Sequence, residues 1–250
     1  MKIISLNTWG GRAGKDLLLN FFRKNNEIDI FCLQEMWRGG DDLNLEELGL
    51  DVSREVTYNL LDGISAQLPN HKYYFRPHVG DHYGLVIFIK KDIEVLEEGD
   101  IFVYNEKGFY EEGNIGNHAR NLQYITFKHN GELLTVINFH GLWNGKGKTD
   151  TPDRLLQSTN IINFINKLDN PYILVGDFNL KPDTESLKKI EDAGALNLIK
   201  KYNIKSTRTS FYEKEEKFAD YVFLSQDLKE KDFKVLEDEV SDHAALLIEV

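Results

Sequence analysis

The segment Tyr172-Ile173-Leu174-Val175-Gly176-Asp177-Phe178-Asn179 joins an apolar run to a carboxylate and a carboxamide two residues apart. A short, continuous apolar run predicts a strand that is buried on both faces. Side chains two residues apart on a strand leave the same face, so Asp177 and Asn179 can together hold a water molecule and a phosphate oxygen. The segment therefore predicts a central strand whose end carries hydrolytic chemistry.

Strand and helix signals alternate on both sides of this segment. Apolar or alternating runs predict strands at residues 2–7, 28–33, 72–76, 85–90, 93–97, 101–104, 121–128, 132–140, 172–176, 219–224 and 243–249. Helical periodicity predicts helices at residues 15–25, 55–67, 151–168 and 184–193. Asn130-Gly131 predicts a hairpin between two long strands. Helices early and late in the chain, with an antiparallel stretch between them, predict two sheets packed face to face with helices outside.

The length and composition are those of one large globular unit. The 250 residues show neither a low-complexity linker nor a repeat, so we expect a single domain over residues 1–250. The net charge of −11, from 30 basic and 41 acidic residues, argues against a broad surface for duplex nucleic acid or anionic membrane, although a local basic patch stays open. The one cysteine, Cys32, lies in an apolar run and is expected to be a small buried residue that forms no internal disulfide.

No part of the sequence has the pattern of a targeting or membrane-spanning element. Met1-Lys2 leads directly into an apolar strand, and no run approaches the ~20 apolar residues of a spanning helix. We therefore expect a cytoplasmic protein with no integral membrane segment, and we expect it to be a monomer.

Polar side chains recur at the boundaries of six predicted strands. These residues are Asn7, Gln34, Glu35, Asn138, His140, Asp177, Asn179, Asp220, Asp242 and His243. Taken singly, each has an ordinary explanation, such as a solvated acid, a turn residue or a strand-end residue that bonds to the backbone. If these strand ends meet at one end of a sandwich, the same residues form a site of hard oxygen and imidazole groups.

The same segments, in the same order, resemble the endonuclease/exonuclease/phosphatase superfamily, which includes deoxyribonuclease I, abasic-site endonucleases, neutral sphingomyelinases and inositol polyphosphate 5-phosphatases. The matching segments are Leu6-Asn7-Thr8-Trp9-Gly10, Leu33-Gln34-Glu35, Asn138-Phe139-His140, Gly176-Asp177-Phe178-Asn179, Asp220-Tyr221-Val222-Phe223 and Ser241-Asp242-His243. The resemblance implies a deoxyribonuclease I-like α/β fold, a four-layer sandwich of two packed mixed β-sheets flanked by helices. It also implies metal-dependent cleavage of a phosphate ester.

The resemblance implies a magnesium site in which Glu35 is the main ligand. Asn7 and Asp242 would lie at or near the metal, and Asn7 would also contact the substrate. Mg²⁺ prefers one or two carboxylates together with several waters, which suits this set, and Mn²⁺ is expected to be able to replace it. Zinc is disfavoured because no His/Cys set has zinc-site spacing, so His78 and His82 are expected to be loop residues.

Under the same resemblance, four residues handle the water and the phosphate. Asp177 would orient or deprotonate the attacking water, and Asn179 would help to hold that water and the phosphate. His243, steered by Asp220, would bind a phosphate oxygen. A carboxylate and an imidazole can activate water and stabilise charge in such a reaction.

The expected substrate contacts of Arg120 and His140 follow from the resemblance as well. Arg120 stands where deoxyribonuclease I-like members place a phosphate-contacting arginine. In those proteins the histidine that matches His140 leans on a glutamate, whereas the corresponding stretch here offers Tyr83. His140 is therefore expected to act without a carboxylate partner or to use Asp81, and to contact the phosphate rather than serve as a general acid for the leaving group.

We expect a phosphodiester substrate rather than a monoester, with nucleic acid favoured over phospholipid or a small molecule. The segments Asn7-Thr8-Trp9-Gly10 and Glu35-Met36-Trp37 also resemble neutral sphingomyelinases, which keeps a lipid or other small-molecule phosphodiesterase as an alternative. Residues 141–149, with Trp143 and two lysines, are expected either to contact substrate or to form a flexible basic loop. Specificity is expected in the segments 37–55, 78–84, 105–118, 143–151 and 203–218.

Two alternatives come from other classes of protein. Gly147-Lys148-Thr149 resembles the end of a nucleotide-binding phosphate loop, but Leu142 stands where its first glycine is needed, and Pro152 places the helix start too late. A catalytically inactive binding module with the same fold is disfavoured by the complete set of polar residues.

Overall fold

The structure is a computed structural model that describes residues 1–39, 55–112 and 114–250. Sheet 1 contains, in spatial order, β13 (Asp232–Val235), β14 (Leu246–Glu249), β1 (Lys2–Asn7), β2 (Ile30–Trp37), β4 (Tyr83–Lys90) and β3 (His71–Val79). Sheet 2 contains β11 (Leu196–Asn197), β12 (Asp220–Leu224), β10 (Tyr172–Asp177), β9 (Glu132–His140), β8 (Arg120–His129) and β5 (Val95–Tyr104). A small hairpin of β6 (Tyr110–Glu111) and β7 (Asn114–His118) stands apart from both sheets.

Helices cover the outer faces of the two sheets. They are α1 (Lys15–Lys24), α2 (Leu60–Gln67), α3 (Pro152–Ile165), α4 (Glu185–Asp192) and α5 (Leu198–Lys201), with a short 3₁₀ helix at Trp9–Gly11. Apolar side chains of α1 and α2 share a buried cluster with sheet 1, and those of α3, α4 and α5 share one with sheet 2. Because β1–β2 and β9–β10 are parallel and the other pairs are antiparallel, both sheets are mixed. This arrangement confirms the predicted four-layer α/β sandwich.

The two sheets pack through apolar side chains and, near one end, through amides. Cys32 is fully buried between the sheets, as predicted. Gln34 Nε2 donates to Asn138 Oδ1 at 2.7 Å, and Asn138 Nδ2 donates to the backbone oxygens of Leu33 and Val86 at 3.0 and 3.1 Å. Since these fully buried amides form hydrogen bonds to the facing sheet as well as within their own, they help to fix how the strand ends of sheets 1 and 2 meet.

Several predicted boundaries were wrong. β2 continues to Trp37 instead of ending at residue 33, because pairing with β4 persists across a bulge between Leu33 and Met36. The predicted strands 93–97 and 101–104 are one strand, β5, since backbone pairing with β8 does not require a continuous apolar run. The last strand begins at Leu246 instead of residue 243, and α2 begins at Leu60 instead of residue 55. The sequence analysis did not predict β6, β7, β11, β13 or α5, whose few residues carry little periodicity.

The structure also bears on the predicted loop histidines, the phosphate-loop alternative and the specificity segment 37–55. His78 is not a loop residue: it lies in β3 and is 1% exposed, whereas His82 occupies the following turn as expected. Helix α3 begins at Pro152 with Thr151 as its N-cap, so Gly147-Lys148-Thr149 precedes the helix and the phosphate-loop alternative is excluded. Residues 40–54, part of the predicted specificity segment 37–55, lie outside the described residues. Within the described ranges, no helix is both long and apolar enough to cross a membrane.

Candidate active site

Strand ends of both sheets converge on one cavity of about 370 Å³. The carboxyl ends of β1 and β2 in sheet 1, and of β9 and β10 in sheet 2, lie on this side because each pair runs parallel. β12 is antiparallel to β10 and pairs Asp220 with Asp177, so it begins where β10 ends. Of the predicted site residues, the cavity is lined by Glu35, Arg120, His140, Asp177, Asn179, Asp242 and His243. Asn7 and Asp220 lie behind the lining and bond to residues within it.

Asp177 occupies the centre of the site. Its Oδ2 accepts a hydrogen bond from Asn7 Nδ2 at 3.0 Å and lies 3.7 Å from His140 Nε2 and 3.6 Å from His243 Nε2. Both imidazole distances exceed a direct hydrogen bond, so these nitrogens and the carboxylate can act on a group that enters the cavity. The side chain is 98% buried, since Asp177 is 2% exposed.

The turn after Asp177 fixes the direction of its carboxylate. The backbone N–H of Asn179 donates to Asp177 Oδ1 at 2.8 Å, and Asn179 Nδ2 donates to Gly141 O at 3.2 Å. Asn179 has a φ of +54°, so it lies in a left-handed turn past the end of β10 rather than on the strand face that the sequence predicted. Both side chains nevertheless line the cavity.

Asp220 and His243 form a buried carboxylate–imidazole pair. His243 Nδ1 lies 2.9 Å from both carboxylate oxygens of Asp220. Burial raises the pKa of Asp220 to about 7 and lowers the pKa of His243 to about 4, because each charge loses its contact with water. With Nδ1 held by Asp220, the other ring nitrogen, Nε2, is the atom that faces Asp177.

Glu35 reaches the cavity from an irregular position in β2. Its φ of +55° accompanies the bulge between Leu33 and Met36, which redirects the side chain from the regular alternation of the strand. Oε1 accepts from Asn7 Nδ2 at 3.1 Å, and Oε2 lies 3.6 Å from Arg12 Nη1. Burial raises the pKa of Glu35, while Arg12 and the Asn7 hydrogen bond oppose that rise.

Asp242 is the third cavity carboxylate, and only one of its two oxygens accepts a hydrogen bond from the described residues. Its Oδ2 accepts from Arg208 Nη1 at 2.9 Å, whereas Oδ1 is buried and has no hydrogen-bond partner among the described residues. Burial raises the pKa of Asp242, and the negative charges of Glu35 and Asp177 raise it further. The three carboxylates therefore repel one another within a site of low water content.

This donor set fits a hard divalent cation. Glu35 and Asp242 offer carboxylate oxygens, the ligand type preferred by Mg²⁺, and Asp242 Oδ1 lacks another partner among the described residues. Asn7 donates its Nδ2 to two carboxylates, and its Oδ1 accepts the backbone N–H of Trp9 at 2.9 Å, so its observed contacts position acids. A cation near Glu35 and Asp242 would offset the burial and the smaller repulsion from Asp177 that raise their pKa values.

A second group of possible ligands is less suitable. Ligand atoms of Asp177, Asp220 and His243 lie within 4.8 Å of one another. The Asp220 oxygens, however, already contact His243 Nδ1 at 2.9 Å, and a metal there would have to displace that hydrogen bond. We therefore regard Glu35 and Asp242 as the residues better suited to hold a metal.

Among the described residues, no carboxylate accepts a hydrogen bond from Nδ1 of His140. His140 Nδ1 is buried and unpartnered among the described residues, while Asp81 is exposed and pairs with Lys107 at 3.0 Å. Of the two expectations for this histidine, the structure thus favours action without a carboxylate partner over use of Asp81. Burial lowers the pKa of His140 well below its ordinary value, and the charge of Arg120 lowers it further.

Arg120 and His118 complete this side of the cavity, and His78 packs against His118. Arg120 is 2% exposed and donates through Nη2 to Gly116 O at 3.0 Å, while its Nε and Nη1 are buried without partners in the described part of the chain. His78 and His118 stack with ring centroids 5.0 Å apart. Burial and the charge of Arg120 lower the pKa of His78 to about 3 and that of His118 well below its ordinary value. The histidines therefore stay neutral beside a permanent cation.

The sequence analysis missed several cavity residues. Besides the predicted set, the lining includes Trp9, Arg12, Tyr83, His118, Trp143, Lys148, Arg208, Tyr212 and Lys214. Lys148 and Trp143 come from the loop considered as a substrate contact, but Lys148 is 3% exposed and is no flexible surface lysine. Arg208 and Tyr212 lack any motif of their own, and their only sequence signal was their position in the specificity segment 203–218.

The fold and this cavity define a class of protein: a four-layer α/β sandwich with a carboxylate- and imidazole-lined site where its two sheets meet. Residues 4–243 match the sequence profile of the Endonuclease/Exonuclease/phosphatase family, and the chain belongs to this family. This confirms the superfamily resemblance seen in the sequence. No sequence among the curated proteins matches the chain.

Solved structures share the fold over almost the whole chain. A mannosyl-6-phosphatase from Bacteroides thetaiotaomicron has a TM-score of 0.74 at 19% identity, covering 100% of this chain and 98% of its own. An endonuclease/exonuclease/phosphatase from Bacteroides vulgatus has a TM-score of 0.72 at 18% identity, covering 99% and 97%. Truncated TDP2 from Caenorhabditis elegans has a TM-score of 0.70 at 19% identity, covering 100% and 97%. At these identities, the similarities show that the fold is shared and do not identify the substrate of this chain.

Proposed function

We propose that this protein is a metal-dependent phosphoric ester hydrolase in which Asp177 activates a water molecule. The convergence of polar groups on Asp177 Oδ2 carries the proposal. That oxygen is held by Asn7 and lies within 3.7 Å of His140 Nε2 and His243 Nε2. A carboxylate oriented from behind and faced by two imidazoles suits the transfer of a phosphoryl group to water.

Each residue has a proposed task in this reaction. Asp177 takes the proton of the attacking water, and Asn179 helps to hold the water and the phosphate. Asp220 supports positive charge on His243 when an anionic phosphate enters, so that Nε2–H can donate to a phosphate oxygen. His140, whose Nδ1 has no hydrogen-bond partner among the described residues, contacts the phosphate without supplying a general acid.

Arg120 and the metal residues supply positive charge. The unpartnered Nε and Nη1 of Arg120 are suited to phosphate oxygens. Glu35 and Asp242 would hold the ion, with Asn7 positioning Glu35 and approaching the substrate. When bound, Mg²⁺ or Mn²⁺ would neutralise charge on the phosphate and on the departing oxygen.

Two substrate classes are candidates. The sequence favours a phosphodiester, with nucleic acid ahead of phospholipid or another small phosphodiester, and that preference stays a prediction. A phosphate monoester of a small molecule is the second candidate. Among the described residues, five cationic side chains and three carboxylates line the cavity, an excess of two positive charges. A structural neighbour is a mannosyl-6-phosphatase. The expectations of one domain over residues 1–250, a monomeric state and a cytoplasmic location also stay predictions.

Initial rates on a substrate panel would test the proposal. The panel comprises single-stranded DNA, abasic duplex, RNA, sphingomyelin micelles, p-nitrophenyl phosphate and bis-p-nitrophenyl phosphate, each with Mg²⁺, Mn²⁺ or EDTA. We expect metal-dependent hydrolysis that falls roughly a thousandfold in Asp177→Asn and Glu35→Gln. Asp81→Asn, a change in an exposed carboxylate, is the matched control and should keep the wild-type rate.

A thermal-shift measurement separates loss of metal from loss of fold. Mg²⁺ should raise the unfolding temperature of the wild-type protein and of Asp81→Asn, but not that of Glu35→Gln, because a ligand that binds only the folded state stabilises it. Equal and negligible turnover by the wild type and both active-site variants, with all three folded, Mg²⁺ supplied and the wild type shown to bind it, would refute the hydrolase and favour the binding module.

A further inference from the structure

Two cations and one aromatic ring form a cluster on the Asp242 side of the cavity. The Cζ of Arg208 lies 4.0 Å from the ring centroid of Tyr212, and the Nζ of Lys148 lies 5.1 Å from the same centroid. All three residues line the cavity that contains Asp177 and His243. Contact with the ring attracts each cation, and nearby carboxylates offset only part of the repulsion between the two cations, since the pKa of Lys148 remains lowered.

These cations have fewer hydrogen-bond acceptors than donors. Lys148 is 3% exposed, and among the described residues the one acceptor for its ammonium group is Phe218 O, at 3.2 Å. An ammonium group has three donors. Arg208 bonds to Asp242 through Nη1, while its Nε is buried without a partner among the described residues. Buried charge with spare donors is costly unless an anion completes it, so this cluster is built to receive one.

The cluster lies beside the reacting groups rather than at a remote surface. Lys148 interacts electrostatically with Asp177, Asp220 and Asp242. Arg120 also interacts with Asp177, but its other interactions are with Glu35, Tyr83 and the three histidines of the other side. A phosphoryl group bound over Asp177 would therefore have cationic donors on two sides.

We propose that Lys148 and Arg208, held against Tyr212, form an anion subsite that selects a terminal phosphoryl group. A phosphate monoester has three non-bridging oxygens and a charge approaching −2 at neutral pH, whereas a diester has two such oxygens and a charge of −1. The additional oxygen and charge match the spare donors of the subsite. The inference rests on the proposed function and chooses the monoester between its two candidate substrate classes.

Calorimetric titration with two simple anions tests the subsite without turnover. Inorganic phosphate carries the features of a terminal phosphoryl group, and dimethyl phosphate carries those of a diester. With Mg²⁺ present, we expect the wild-type protein to bind phosphate at least about tenfold more tightly than dimethyl phosphate. Lys148→Met should weaken phosphate binding roughly ten- to hundredfold, the range for a lost charge-assisted hydrogen bond, and dimethyl phosphate binding less than about threefold.

Two further variants make the test specific. Lys146→Met removes an exposed lysine from the same loop and should leave both affinities unchanged. Arg208→Gln, like Lys148→Met, should weaken phosphate binding more than dimethyl phosphate binding. The second variant keeps the test valid if the first folds poorly. Circular dichroism at the titration temperature verifies the fold of each variant.

Three results would overturn the inference: no phosphate binding by the wild type at millimolar concentration, equal weakening of both anions, or unchanged affinities in both subsite variants. If Lys148 controls phosphate binding but no ester is hydrolysed, the proposed hydrolase fails while the anion subsite stands. If esters are hydrolysed, the ratio of kcat/KM for p-nitrophenyl phosphate to that for bis-p-nitrophenyl phosphate should fall about tenfold or more in Lys148→Met.

Discussion

Replacing Lys148 with methionine should make the folded protein more stable near neutral pH. Burial and, to a smaller extent, the charge of Arg208 lower the pKa of Lys148 from 10.5 to about 8, although nearby carboxylates oppose this shift. At about 1.4 kcal/mol per pH unit, this difference means that the proton on Nζ destabilises the folded state by roughly 3 kcal/mol near pH 7. Methionine keeps most of the side-chain length without the charge.

The hydrogen bond to Phe218 O reduces the expected gain. Its loss leaves the backbone oxygen of Phe218 with one hydrogen-bond donor fewer, which costs about 1 kcal/mol. The net stabilisation near pH 7 is then about 2 kcal/mol. Between pH 8 and 10.5 the unfolded chain holds a proton that folded Lys148 releases, so the wild type gains stability as pH rises. The advantage of the variant should therefore shrink to nearly zero by about pH 9.5.

Urea unfolding followed by circular dichroism measures this difference directly. Wild type, Lys148→Met and the exposed control Lys146→Met are compared in EDTA near pH 7 and near pH 9.5. Taking differences at each pH cancels the groups that all three proteins share. This prediction would be refuted if Lys148→Met were no more stable than the wild type near pH 7, or if its gain in unfolding free energy were the same at both pH values. Either result would mean that the buried, protonated Lys148 does not destabilise the folded state.

Three further predictions concern the Asp220–His243 pair, the buried His78 and the backbone at Gly176. Asp220→Asn should lower kcat about a hundredfold or more with little change in KM, because His243 loses the carboxylate that supports its charge; an unchanged kcat would contradict this role. Stability should fall as pH drops from 6.5 towards about 3, because unfolded His78 takes up a proton that the buried ring refuses; urea midpoints in His78→Gln should depend less steeply on pH. Gly176→Ala should be insoluble or destabilised by several kcal/mol, since its Cβ would lie 1.9 Å from Phe139 O at a φ of +142°; a wild-type melting temperature would exclude this clash.

The predicted site residues could be located from sequence because each adjoins an apolar run. Asp177 ends the apolar strand β10, and Asp220 begins the apolar strand β12, so their positions at strand ends followed from hydrophobic pattern alone. Glu35 lies at the cavity, as the sequence predicted, but it does not follow the end of a strand. It lies within β2, and a bulge opposite β4 turns its side chain inward. Such a bulge depends on the partner strand, which a local pattern does not contain.

Residues that enter the cavity from loops could not be placed in this way. Lys148 stands in a glycine-rich loop, where a lysine is ordinarily solvated, and it is buried because Phe218 and Tyr212 of a distant segment fold against it. Arg208 reaches the site through an isolated bridge that pairs it with His243, outside any strand. His78 was expected to be a loop residue, yet β3 runs from His71 to Val79 and includes it, because backbone pairing with β4 continues past Pro77.

The sequence by itself determined the family, the alternation of strands and helices, the layered α/β architecture and the identity of the residues at the strand ends. Local hydrophobic periodicity and residue chemistry are properties of neighbours in the chain, and they can be read without a partner. Tertiary structure alone decided which strand ends meet, how Asp177 faces His140 and His243, and why Lys148 is buried against Tyr212. Those features depend on the pairing register of two sheets and on loops packed across their ends, so their energies come from contacts between residues far apart in sequence.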